Sequence, residues 1–182
     1  MRGAKAAGWS ALALALGGAA ASPAWGAQGA RLEGTFAMRG VLTFVHNVYG
    51  EHRGERVTRS WRFVPVCATG PCGRVRLERR RSGRHLPDSV VLTRRAVGLY
   101  RGTGHFWVPL RCAGRVVRHG GLATETITLR VTGTALVGTT RLVTAIRARY
   151  DNPRRVNLTR CPGGIGRDAA SYAGSRVPPP SA

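Results

Sequence analysis

The sequence predicts an all-β protein, an antiparallel meander of about eight strands behind a cleavable helical signal peptide. Apolar and polar residues alternate from Arg31 to Tyr150, and many of them are β-branched or aromatic. Glycine and proline interrupt this alternation at short intervals. No window past the leader carries a capped helical stripe. The strands are therefore expected to form a closed barrel or a sandwich.

Residues 1–26 have the three-part layout of a signal peptide. Arg2 and Lys5 form a basic start, Ala11–Leu16 is the densest apolar run, and the small residues Ala24 and Gly26 precede the expected cut. The apolar run is shorter than the roughly 20 residues of a membrane span, which favours cleavage over an uncleaved anchor. We expect an extracytoplasmic protein, secreted or associated with the cell surface, with no transmembrane span in the mature chain.

The first half of the predicted β-domain, which covers 27–161, supplies four strands. Gly34–Val45 places Phe36, Met38 and Phe44 on one face, and Val57–Val64 does the same with Val57, Trp61 and Phe63. A third strand has Val75 and Leu77 on one face and Arg74, Arg76 and Glu78 on the other, and Val90–Thr93 is a short fourth.

The second half continues the alternation. Tyr100–Leu110 carries Tyr100, Phe106 and Val108 in one phase, and two further strands follow around Ile127–Val131 and Leu142–Tyr150. The Gly/Pro-rich C-terminal segment, 162–182, is expected to be mostly flexible, with one last short strand at 168–174. A lipocalin-like barrel is slightly favoured over a sandwich. Closure removes exposed edges, and few prolines or inward charges are present to guard one.

Four cysteines, an even number in a chain with a secretory leader, predict two disulfides among three possible pairings. Cys67 and Cys72 flank Ala-Thr-Gly-Pro, a strong turn sequence. We therefore predict Cys67–Cys72 and, as the remaining pair, Cys112–Cys161. A zinc site is the alternative, but this spacing is not that of a zinc ribbon.

One strand and turn carries a resemblance. Its residues are Trp61, Phe63, Pro65, Cys67, Gly70 and Cys72, together with the run Tyr100–Gly104 and the later Cys112. This set resembles small secreted, disulfide-bonded β-rich domains of high-G+C bacteria, most of which are uncharacterised. The resemblance implies a stable extracytoplasmic β-domain and assigns no functional residue.

The formal charge is +21, and it stays at +19 once residues 1–26 and their two cations are removed. Lys5 is the only lysine, so the mature cations are arginines. G+C-rich codons explain arginine in place of lysine, but they do not explain why acids are scarce. The first functional hypothesis is therefore a non-enzymatic domain that binds anionic cell-envelope or extracellular polymers, including polysaccharide. The alternative is a solvated face that serves solubility.

The expected polyanion-binding residues are arginines from the polar phase of predicted strands and from one loop. They are Arg74, Arg76, Arg79, Arg80, Arg81, Arg84, Arg147 and Arg149. Aromatic residues are not interleaved with them, so specific nucleic-acid binding is not expected.

The second hypothesis is a calycin-like barrel that holds a small ligand. Arg101, Thr103, His105 and Trp107 share one face of a strand and would form a pocket if that face lined the lumen. If the face pointed outward, they would be one more solvated stripe. Glu51, His52 and Glu55 fall in a turn, where such residues are usually solvated and a metal site is the alternative.

No short catalytic motif appears, since G-x-S-x-G and H-E-x-x-H are both absent. Catalytic residues, cofactors and metal ligands are therefore not assigned. An enzyme of an unrecognised class stays a third alternative, and the sequence does not indicate an oligomeric state.

Overall fold

The computed structural model describes residues 29–48, 50–80, 88–161 and 166–178. The predicted signal peptide lies outside these ranges. Within them the chain is all-β, as predicted, and contains no helix. A helix able to span a membrane is likewise not found in the described part of the chain.

Eight strands follow one another along the chain. They are β1 (Gly34–His46), β2 (Arg56–Pro65), β3 (Arg74–Arg80), β4 (Asp88–Ala96), β5 (Leu99–Cys112), β6 (Arg115–Val137), β7 (Thr140–Asn157) and β8 (Arg167–Arg176). Each strand pairs antiparallel with the next, and β1 pairs with β8. The meander therefore closes into a ring, as the barrel alternative requires.

The core fills the ring with the apolar phase of the strands, because successive side chains of a strand point to opposite faces. Phe36 meets Phe63 edge to face at 5.2 Å between ring centroids, and Trp61 lies 5.2 Å from Tyr172. Tyr172 fits there because it lies against Gly40, where a Cβ atom would come within 2.4 Å of its ring. These contacts fix how β1, β2 and β8 pack across the lumen.

The predicted position of Phe44 in the core is wrong. The β1–β8 register shifts between Leu42 and Phe44, and a shift of one residue turns the following side chains to the other face. Phe44 is 48% exposed, whereas Val45 packs against the core in its place.

One end of the ring is closed by residues 29–33, which precede β1. Leu32 is fully buried in the core, and Arg31 pairs in parallel with Leu142. The Arg31 guanidinium also donates to the carbonyls of Cys67 and Gly70, both at 3.1 Å. These bonds tie the segment to the turn between β2 and β3.

Strand β8 lies between β7 and β1 and completes the ring. It spans Arg167–Arg176, which is longer than the strand expected at 168–174. The ring thus continues past the boundary placed at residue 161, and this part of the C-terminal segment is ordered sheet.

Both predicted disulfides are confirmed. Cys67–Cys72 spans the β2–β3 turn at the closed end, and Cys112–Cys161 ties the end of β5 to the chain after β7 at the other end. In the chain-entropy model the short loop contributes about 2 kcal/mol and the long one about 4 kcal/mol.

Candidate functional site

A cavity of about 940 Å³ opens at the end of the ring opposite residues 29–33. Its walls come from the ends of β1, β5 and β7, the starts of β6 and β8, and the β1–β2 connection. Most of the wall is apolar and includes Val45, Val48, Phe106, Val108, Leu110 and Val156. The lumen is thus packed at one end and hollow at the other.

The β1–β2 connection carries Glu51 to the wall of this cavity. Gly50 and Gly54 have φ values of 75° and 88°, which favour glycine. The Gly54 N–H donates to the carbonyl of Leu42 at 2.8 Å, and the Leu42 N–H donates to that of Glu55 at 2.9 Å. This backbone pairing fixes the connection against β1 and so sets the position of Glu51.

Asp168 and Arg155 form the polar floor of the cavity near Glu51, and the buried Asn152 binds to Asp168. Oδ1 of Asp168 accepts hydrogen bonds from Arg155 Nη2 and from Asn152 Nδ2, each at 2.6 Å. Three buried polar atoms here have no hydrogen-bond partner among the described residues: Glu51 Oε2, Asn152 Oδ1 and Arg155 Nε. Leaving such a group unsatisfied costs about 1–3 kcal/mol.

The carboxyl of Glu51 is the perturbed acid of this site. Burial raises its pKa above the ordinary value of 4.5, and the nearby Asp168 carboxylate raises the pKa further. Arg155 and Arg59 act in the opposite direction without cancelling these effects. Glu51 therefore holds its negative charge at a cost, which a positively charged neighbour would relieve.

A second, smaller cavity of about 60 Å³ adjoins the floor and shares Glu51, Tyr150 and Asp168 with the large one. Its other walls include the aromatic rings of Trp61 and Tyr172. This inner cavity is large enough for a small polar group, since about 10–15 Å³ of such volume holds one water.

Arg79 also borders the inner cavity, at the centre of a buried ion-pair cluster. It donates two hydrogen bonds to Asp88, at 2.9 and 2.6 Å, and one to Glu125, which is only 1% exposed. Its guanidinium lies 5.8 Å from the ring centroid of Tyr150. Burial lowers the pKa of Arg79, but the attraction of Glu125 and Asp88 outweighs burial and raises it. Arg79 is therefore a fixed cation.

The prediction that Arg79 binds a polyanion is wrong, because the side chain is 6% exposed and bound to two carboxylates. Its position was readable from the sequence. Arg79 shares the phase of Val75 and Leu77 on β3, just as Glu125 shares that of Ile127 on β6. An arginine and a glutamate on apolar phases are the signal of an inward ion pair.

The other predicted polyanion-binding residues do not form one face. Arg74, Arg76 and Arg80 are exposed on β3, whereas Arg147 and Arg149 are exposed on β7. Strands β3 and β7 are four strands apart in either direction around the ring, so the two groups lie on opposite sides. Arg81 and Arg84 lie outside the described residues.

Some of these exposed arginines are already paired with acids. Arg76 approaches Glu78 at 3.3 Å, and Arg149 binds Asp151 at 2.8 Å. The hydrogen bond to Asp151 raises the pKa of Arg149. A polymer would have to compete with these carboxylates.

The strand register brings a different set of arginines together. Arg130 on β6 lies directly opposite Arg147 on β7, and Ala173 on β8 links Arg147 to Arg39 on β1. We call Arg39, Arg130 and Arg147 the outer arginine row. All three are exposed, and none has an ion-pair partner within the described ranges.

The predicted pocket residues do not line the lumen. Arg101, Thr103, His105 and Trp107 are all exposed on the outside of β5, and Trp107 is 55% exposed. The opposite face of β5, which contains Gly104, points into the lumen. A Cβ atom at Gly104 would come within 2.6 Å of Val90. The four residues form the solvated stripe that was the alternative.

Among the residues that the structure describes, no group of three or more His, Cys, Asp or Glu side chains is placed to hold a metal ion. Comparison with protein-family models, curated proteins and solved structures finds no match to this chain. The resemblance to secreted β-domains of high-G+C bacteria stays a prediction.

Proposed function

We propose that this protein binds a small, partly apolar ligand in the open end of its ring. The observation that carries the proposal is the cavity of about 940 Å³, with apolar walls and a few converging polar groups on its floor. Ligand pockets typically have volumes of about 300–1,000 Å³ and this same lining. The function is the calycin-like alternative, served by residues other than those the sequence suggested.

The packed and hollow halves of the lumen support this assignment. The closed half excludes solvent with large side chains such as Phe36, Trp61 and Leu129. A protein that needed only stability would gain from filling the rest, because each buried methylene contributes about 0.8 kcal/mol. The open end instead keeps apolar walls beside unsatisfied polar atoms, which is the arrangement of a binding site.

Fluorescence of the neutral probe N-phenyl-1-naphthylamine tests the proposal. We expect its emission to rise and shift to shorter wavelength with the wild-type protein, because the probe leaves water for an apolar cavity. Val45→Trp fills the cavity and should abolish most of this signal. Val41→Trp is the matched control, since Val41 lies on the same strand but is 40% exposed. No enhancement with the wild-type protein, or an equal one in Val45→Trp, would overturn the proposal.

A second candidate function is adhesion to an anionic polymer through the outer arginine row. Arg130 and Arg147 are directly opposite across β6 and β7. Like charges in such pairs are destabilising, and an anion that bridges them would relieve the repulsion. The acidic envelope and extracellular polymers available outside a cell match this requirement. The two disulfides are compatible with that compartment.

Retention on immobilised heparin tests this candidate. We expect Arg130→Ser/Arg147→Ser to elute at clearly lower salt than Arg74→Ser/Arg76→Ser. Both variants lose two charges, but the second pair lies on the opposite side of the ring. Equal elution of the two variants would show that only net charge matters and would remove the outer arginine row as a site.

A further inference from the structure

We infer that the ligand is amphipathic and carries an ammonium group, which enters the inner cavity beside Glu51 while its apolar part fills the outer cavity. This inference rests on the proposed function and specifies its ligand class. It follows from three observations on the inner cavity: an unsatisfied carboxylate oxygen, an excess of acids around it, and aromatic walls.

The Glu51 carboxylate lacks a donor at one of its two oxygens. Oε2 of Glu51 is buried and has no hydrogen-bond partner within the described part of the chain, although the residue borders both cavities. A carboxylate accepts hydrogen bonds and donates none when ionised, so its complement must be a donor. An ammonium group supplies both hydrogen-bond donors and a positive charge, which are what the Glu51 carboxylate lacks.

The charges around the inner cavity point the same way. The residues that line it, taken with their ion-pair partners, comprise four carboxylates and three guanidinium groups, which gives a formal charge of −1. Of the two cavities, Arg53 and Arg111 border only the outer one. The acids are Glu51, Asp88, Glu125 and Asp168, and the cations are Arg59, Arg79 and Arg155. Asp88 and Glu125 hold Arg79, and Asp168 holds Arg155. Glu51 is the acid of this group without an ion pair among the described residues.

The walls complete the site. Trp61, Tyr150 and Tyr172 surround the inner cavity, and aromatic faces attract cations. The fold already uses one of these faces in this way, since the Arg79 guanidinium lies over the ring of Tyr150. An anionic head group in the inner cavity would instead meet Glu51 and Asp168, and of the two arginines that line this cavity Arg79 is already paired and Arg59 has no ion pair among the described residues.

Calorimetric titration of the full chain with octylamine, 1-octanol and octanoate tests the inference, each at concentrations where it is monomeric. The three probes share one apolar body and differ only in the head group. We expect octylammonium to bind at least about tenfold more tightly than octanol, as one charge-assisted hydrogen bond gives. Octanoate should bind most weakly.

Glu51→Gln is the decisive variant. It should reduce octylammonium affinity to about that of octanol and leave octanol binding unchanged. Glu78→Gln is the matched control, because Glu78 lies on the outside of β3 and its loss changes net charge by the same amount. A melting curve of each variant checks that it is folded.

The pH profile gives an independent readout. Octylammonium affinity should fall as the pH drops through the raised pKa of Glu51, and the profile of Glu51→Gln should be flat there. The charged groups that face Glu51 are Asp168, Arg155, Glu55 and Arg59.

The outcomes separate the two proposals. Equal binding of octylammonium and octanol, tightest binding of octanoate, or an unchanged affinity in Glu51→Gln would overturn the ammonium inference and leave the cavity a binding site. Failure of all three probes to bind would overturn the proposed function itself.

Discussion

The surroundings of the inner cavity and the outer face of this ring carry opposite charge balances. Four of the eight acids lie around the inner cavity, with three arginines, whereas the outer face and the wall of the outer cavity carry further arginines such as Arg53 and Arg111. On the outside, acids occur as ion-pair partners of arginines, as in Arg76–Glu78 and Arg149–Asp151. The cationic character of the chain thus lies mainly on its surface, and the surroundings of the inner cavity are slightly acidic.

An arginine–carboxylate ion pair contributes differently to stability in the interior and on the surface. Removing one partner from a buried pair leaves an uncompensated charge in a low-dielectric interior. Water replaces the lost partner at the surface, where a pair contributes only about 0–1 kcal/mol. Substitutions that remove one arginine from each region are the most direct test of this difference in stability.

Arg79→Met should have the largest effect. It leaves Glu125 and Asp88 beside each other without their cation, and we expect a loss of about 3–5 kcal/mol in the free energy of unfolding. The matched surface variant Arg147→Met should stay within about 0.5 kcal/mol of wild type. Urea denaturation measures both. If the two variants cost the same, the buried cluster does not stabilise the fold as described.

Glu51→Gln should have a smaller effect of opposite sign. The raised pKa of Glu51 means that its contribution to stability is fully present below the unfolded value, near 4.5, and is lost as pH rises through the folded pKa. Glutamine removes this loss, so the variant should melt at a higher temperature than wild type at neutral pH. The two proteins should converge in acid. Parallel curves of melting temperature against pH would contradict this view of Glu51.

Arg130→Ser should have the smallest effect. It relieves the repulsion with Arg147 and should stabilise the protein by a few tenths of a kcal/mol at low salt. The gain should disappear at 1 M salt, where the screening length falls to about 3 Å. Melting temperatures at the two ionic strengths measure it, and a gain that persists in high salt would assign the effect to another cause.

The fold was largely predictable because it depends on alternation, turn residues and cysteine spacing. The sequence correctly predicted that Val75 and Leu77 share one face of a strand and that Ile127 lies on an apolar face. Arg79 and Glu125 lie on these same inward faces. Arg79 was misplaced because it was assigned to the loop after the third strand, whereas β3 extends to Arg80 and Arg79 continues its inward face. Charged side chains follow the strand period like any others, provided that they find partners inside.

The candidate site was less predictable, for reasons of tertiary geometry. The bulge that turns Phe44 outward leaves no local mark in the sequence. Glu51 was correctly placed in a turn, but its position on the lumen depends on the pairing of that turn with Leu42. The distance between the arginines of β3 and β7 depends on closure of the ring, which the sequence did not decide.

Residues 29–33 bear on how fast a ligand of the proposed kind would enter and leave the ring. With Leu32 buried at the closed end, the described lumen is a cup, so a ligand of the proposed kind would leave by the way it entered. The lifetime of such a complex would then be set by motion of the rim. The β5–β6 hairpin is one part of that rim, and Cys112–Cys161 tethers it to the chain after β7. Oxidising conditions would thus slow the exchange of ligand through the rim that the disulfide holds in place.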